Sequence, residues 1–92
     1  MRATLQEDRD EELRRDMRNV LNELIGEQVV HTLGTPVDLL KVQVRQVAGD
    51  RYRVNVFVGK DAVSGRIADS FFLTADGEGQ ILSSSPKIVR VY

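Results

Sequence analysis

Carboxylates crowd the first third of the chain. Asp8, Glu11, Glu12 and Asp16 alternate there with Arg9, Arg14, Arg15 and Arg18. A carboxylate pair performs general acid–base catalysis when one member sits in an apolar cleft that shifts its pKa. Interleaved with arginine at helical spacing, these groups instead predict a solvated face laced with weak i,i+4 pairs. Asp69, between Ile67 and Phe71, is the one carboxylate with apolar neighbours on a strand-like pattern; a charge there marks a sheet edge. His31 is the sole histidine and cysteine is absent, which removes thiolate metal sites, disulfides and cysteine nucleophiles. No Ser-His-Asp order joins His31 to Ser64, Ser70 or Ser83 to Ser85, so the histidine is expected to be structural or exposed. Thr74–Ile81 resembles part of an EF-hand loop, with Asp76, Glu78 and Gly79 in register, but Thr74 and Ser85 stand where the first and twelfth ligands belong. A hairpin turn explains it better. Gly59-Lys60-Asp61 lacks the glycine spacing and the Ser/Thr of a phosphate loop. The expectation is a protein that is not an enzyme and uses no cofactor or metal.

What remains is a surface. Lys41, Gln43, Arg45, Arg53 and Asn55 fall on alternate positions of two strand-like runs, with Phe57 at one end. Alternation places them side by side on the wet face of a hairpin. Such a row could bind an acidic partner, a small anionic ligand or single-stranded nucleic acid, and Phe57 is the one aromatic placed for base stacking. A solvated sheet face carries the same residues with no ligand at all. With 13 basic and 14 acidic residues, a formal charge of −1 argues against a general nucleic-acid binder.

The elements that must carry these residues can be placed from periodicity. Thr4 and Glu7 have the spacing of a capping box, and acids fill the first turns, where the helix dipole favours them. Leu13, Met17, Val20, Leu21, Leu24, Ile25, Val29 and Leu33 then recur in steps of three and four, predicting one helix over about 6–33. Gly26 inside it costs roughly 1 kcal/mol relative to alanine and leaves a break there open. Gly34 and Pro36 supply the stop. From Val37 the period is two: Leu40, Val42 and Val44, then Tyr52, Val54, Val56 and Val58, joined across Gly49-Asp50 as an antiparallel hairpin. A third strand covers Ile67–Leu73, with Ile67, Phe71 and Leu73 on one side and Phe72 on the other. Asp76–Gly79 turns the chain into a fourth over Gln80–Ser84, and Lys87–Tyr92 extends the sheet edge beyond Pro86.

The expected fold class is α+β: one long N-terminal helix packed on a four-stranded antiparallel meander, as one domain over residues 1–92 with a disordered tail over 1–5. Helix, strand, tight hairpin and further antiparallel strands resemble the layout of the cystatin-like superfamily. Arg45-Gln46-Val47-Ala48-Gly49, followed by Tyr52-Arg53-Val54, resembles the first hairpin of cystatins, Gln-x-Val-x-Gly, over roughly residues 38–58. Val47 and Gly49 fall on the motif's valine and glycine; Arg45 occupies the glutamine slot and Gln46 stands one place late. No glycine precedes the helix and no tryptophan exists for the second wedge hairpin. The resemblance implies a cystatin-like fold and an inhibitor of papain-type cysteine peptidases, acting through Val47, Ala48 and Gly49.

No apolar run approaches the ~20 residues that span a bilayer, and the N-terminus lacks the apolar segment of a secretory signal. These features predict a cytoplasmic protein without a membrane partner, and the excess of arginine over lysine fits a bacterial source. The first functional expectation is a non-catalytic protein-interaction or self-association module, dimerising through the edges or face of its sheet. The partner residues would be Lys41, Gln43, Arg45, Arg53 and Asn55. A cystatin-like inhibitor is one alternative. Another is a ligand-binding domain whose pocket between helix and sheet is lined by Met17, Tyr52, Phe71 and Phe72.

Overall fold

The computed structural model describes residues 2–92, with side chains from residue 9 onward. Helix α1 spans Arg2–Leu33, and strands β1 Leu39–Ala48, β2 Arg51–Val58, β3 Arg66–Ala75 and β4 Ile81–Ser85 follow. The strands form one antiparallel sheet in the order β1-β2-β3-β4, so the α+β architecture is as expected. The helix begins at Arg2 rather than near residue 6. The Thr4 and Glu7 side chains of the expected capping pair lie outside the described ones. So does Met1, the first residue of the expected tail.

The helix runs unbroken through Gly26. A Cβ placed on Gly26 would sit 3.4 Å from Val44 Cγ2 and 3.6 Å from Val42 Cγ1, so the glycine lies where β1 passes closest to the helix. On either side of this crossing the core forms. Ile25, Val29 and Leu33, four positions apart, pack against Tyr52, Val54 and Val56 of β2 and Phe71, Leu73 and Ala75 of β3. Leu21, Val42, Val44, Ile81 and Ile88 close the rim. Each fully buried aliphatic side chain stabilises the fold by about 1.5–3 kcal/mol.

The apolar row of the helix divides in two. Ile25, Val29 and Leu33 meet the sheet; Leu13, Met17, Val20 and Leu24 remain 60%, 71%, 56% and 41% exposed. Length is part of the reason: 32 helical residues extend about 48 Å, whereas a ten-residue strand covers about 33 Å. The N-terminal half of α1 therefore projects past the sheet.

Two further expectations are corrected. Between Val56 and Phe57 the β2–β3 register shifts: Val56 pairs with Asp69 and Phe57 with Ile67. The extra residue on β3, Ala68, turns Ile67 to the outer face with Phe57 and puts Asp69 on the side of Phe71. Lys87–Tyr92 does not extend the sheet edge. After β4, which begins one residue later than expected, the chain returns to the end of α1. There the Val91 and Tyr92 amides both donate to the Leu33 carbonyl, at 2.8 and 3.1 Å, satisfying an acceptor that a helix terminus leaves open. The Tyr92 hydroxyl donates to Asp69 Oδ2 at 2.7 Å. No helix among the described residues is long and apolar enough to cross a membrane.

Candidate binding face

The helix covers one face of the sheet and leaves the other bare. On β2 the buried residues are Tyr52, Val54, Val56 and Val58, so Arg51, Arg53, Asn55 and Phe57 point outward. The β1–β2 register sets Lys41 beside Phe57, Gln43 beside Asn55 and Arg45 beside Arg53. All five residues expected to form a row thus share one surface. The β2–β3 register adds Phe72 beside Arg53, Ser70 beside Asn55 and Thr74 beside Arg51.

These neighbours are in contact. Lys41 Nζ lies 4.8 Å from the centre of the Phe57 ring and the Arg53 guanidinium 5.3 Å from that of Phe72, both within cation–π range. A polar thread crosses three strands: Ser70 Oγ donates to Asn55 Oδ1 at 2.6 Å, and Asn55 Nδ2 donates to Gln43 Oε1 at 3.5 Å. At the β4 edge the hydroxyls of Thr74 and Ser83 lie 2.7 Å apart. None of the outward positions paired across the four strands holds a carboxylate, while Lys41, Arg45, Arg51 and Arg53 all stand there. Two phenylalanines, Phe57 and Phe72, face outward from the two central strands, and Phe72 is 56% exposed. The surface is cationic, with apolar ring edges between the charges.

Phe72 and Arg51 were not part of the face expected from sequence. The tight Gly49-Asp50 turn fixes which β1 residues face which on β2. The longer connection from Gly59 to Gly65 does not fix which β3 residue meets Arg53. Alternation within β3 separates Phe72 from Phe71 and leaves its cross-strand neighbour unspecified.

The other singled-out residues lie apart. Gly49 turns with a φ of 52°; its carbonyl accepts from Gln46 Nε2 at 2.6 Å, and the Asp50 carbonyl accepts from the Ala75 amide at 2.9 Å. Val47 sits at a register shift, and Val47, Ala48 and Gly49 are all exposed at a hairpin end that lies level with the end of β3. Asp76 Oδ1 accepts from the Glu78 and Gln80 amides at 2.9 and 3.0 Å, so its carboxylate serves its own turn. Asp61 Oδ1 likewise accepts from Val63 N, Ser64 N and Ser64 Oγ, and these bonds, led by those from Ser64, hold its carboxyl below its ordinary pKa. His31 is exposed in the last turn of α1, on a shallow groove beside Gly26, Val42 and Val44. Of the four residues expected to line a pocket, Tyr52 and Phe71 are core, while Met17 and Phe72 are exposed elsewhere, on the helix and on the outer sheet face. Burial, and secondarily the charge of Asp50, raises the pKa of the Tyr52 phenol.

Comparison with protein-family models, with curated proteins and with solved structures finds no match to this chain.

Proposed function

We propose that this protein is a non-catalytic protein-interaction module whose uncovered sheet face receives an acidic segment of a partner. The observation that supports it is the carboxylate-free face on which Arg45, Arg51 and Arg53 gather beside the exposed Phe72 and Lys41 lies over Phe57. Arginine and aromatic side chains are the groups that most often carry binding energy at protein interfaces. The Gln43–Asn55–Ser70 thread offers amide and hydroxyl groups beside the charges, as extended acidic peptides require. The near-neutral chain lacks the overall positive field that brings nucleic acid to a surface.

The test uses a fluorescein-labelled peptide of alternating aspartate and leucine, with an oligo-thymidine of similar charge as comparison, and reads anisotropy at low and physiological salt. The peptide is expected to bind the parent protein, and Arg45→Glu with Arg53→Glu to weaken it at least ~30-fold. These side chains are exposed, so each change is expected to alter stability by no more than about 0.5–1 kcal/mol, the cation–π contact included. Absence of peptide binding, or a tighter complex with the oligonucleotide, sinks the reading.

A second reading rests on the exposed Val47–Gly49 hairpin end, which supports a cystatin-like inhibitor of papain-type peptidases. Papain activity that micromolar parent protein leaves unchanged would remove it.

A further inference from the structure

Four apolar side chains form an exposed row along the N-terminal and middle turns of α1, reaching the β3–β4 turn only at Leu24. Leu13, Met17, Val20 and Leu24 stand 41–71% exposed, in steps of four, three and four. That spacing keeps the four side chains on one line, as the a and d positions of a coiled-coil seam are. A helix without tertiary support is marginal in water, and a contiguous apolar row of this kind marks an interaction surface. The row borders a groove completed by Gly77 and Glu78 of the β3–β4 turn.

We propose that this seam is a homodimer interface, occupied by the same seam of a second copy running antiparallel. Three observations choose the second copy. The spacing four, three, four reads the same in both directions, so a twofold axis near Arg18 and Asn19 sets Leu13 against Leu24 of the second copy and Met17 against Val20. The axis also offsets the two sheets along the helices, so that each projecting half-helix lies beside the other copy's sheet-bearing half. Charge then selects direction. Arg14 and Arg18 flank the seam on the side of the β3–β4 turn, and among the described residues their ion pairs are the long, exposed contacts of 4.0 and 3.9 Å to Glu11. The opposite flank carries Asp16 and Glu23. An antiparallel partner brings its Arg14 and Arg18 to Glu78; a parallel one would bring Asp16 and Glu23 to the same place. This surface is separate from the sheet face, so the proposal stands or falls independently of the one above.

Light scattering after size exclusion, with sedimentation equilibrium, reads the outcome. The parent chain is expected at twice its monomer mass at about 100 µM, where an interface of ordinary size is occupied. Met17→Glu is expected to raise the dissociation constant roughly a hundredfold and to keep the circular dichroism of the parent, because Met17 touches no core. Glu78→Arg weakens the dimer, and Arg14→Glu with Arg18→Glu restores it in that background. The cysteine-free chain allows a second, independent measurement. Leu13→Cys mixed with Leu24→Cys is expected to form the disulfide-linked pair faster than Met17→Cys links to itself. A parent protein that stays monomeric, a dimer that Met17→Glu leaves intact, or Met17→Cys linking fastest each overturns the proposal.

Discussion

Gln28 supplies from one side chain what a neighbouring strand would supply from its backbone. Its Nε2 donates to the Gly79 carbonyl at 2.9 Å and its Oε1 accepts from the Ile81 amide at 3.0 Å, so one amide pins the β3–β4 turn to the helix. Removing it leaves a part-buried carbonyl and a part-buried amide without partners. Gln28→Ala is therefore expected to cost about 1–3 kcal/mol, visible as a lower urea midpoint at unchanged slope. Nothing in the sequence singles this residue out: a glutamine between Glu27 and Val29 on a polar-flanked helix has many equivalents. Its role depends on where a turn fifty residues later comes to rest. The surface row behaves differently. Lys41, Gln43, Arg45, Arg53 and Asn55 lie on one two-stranded ribbon whose register a two-residue turn dictates, so their grouping was legible from alternation alone. Phe72 and Arg51 complete the face only through tertiary register.

At the scale of elements, α1 carries two apolar rows that look like one in the sequence. Leu13, Met17, Val20 and Leu24 cover eleven residues in three steps, close to the helical repeat, and keep to one line. Ile25, Val29 and Leu33 advance by four and drift around the axis toward the sheet. Periodicity announces a helix from either row; which row is buried depends on where the strands end. The four strands were legible because each combines alternation with a turn signal. The Ala68 bulge was not, since one extra residue leaves no compositional mark. Gly26 shows what close packing asks of an element. The space at its Cβ is an ordinary van der Waals contact with Val44 and Val42, and its conformation is helical. Gly26→Ala is thus expected to stabilise the protein by about 0.5–1 kcal/mol through helix propensity and a less disordered unfolded chain, raising the thermal midpoint. Gly26→Leu, which must displace β1, is expected to lower it.

For the whole molecule, charge and shape are divided between two sides. The helix layer carries carboxylates interleaved with arginines, whereas the charged residues at the outward sheet positions are all cationic. A formal charge of −1 conceals this uneven distribution, so composition alone gives no sign of the cationic face that the register assembles. The long axis of 51 Å reflects the projecting helix. At the opposite end the molecule is knit together, where the Val91 and Tyr92 amides meet the Leu33 carbonyl and Ile88 packs on the core rim.

That return of the chain has a consequence for the order of events in folding. Every β-pairing joins strands adjacent in sequence and closes a modest loop, whereas the contact from Leu33 to Val91 closes nearly the whole meander at once. Loop-closure entropy makes such a contact late. A change confined to it should act after the rate-limiting barrier. Ile88→Ala, which loses part-buried apolar volume there, is expected to destabilise by roughly 1–2 kcal/mol, almost all of it as faster unfolding, with the refolding arm of the chevron unmoved. The last residues would then act as a latch: absent from the search for the native topology, and decisive for how long it persists.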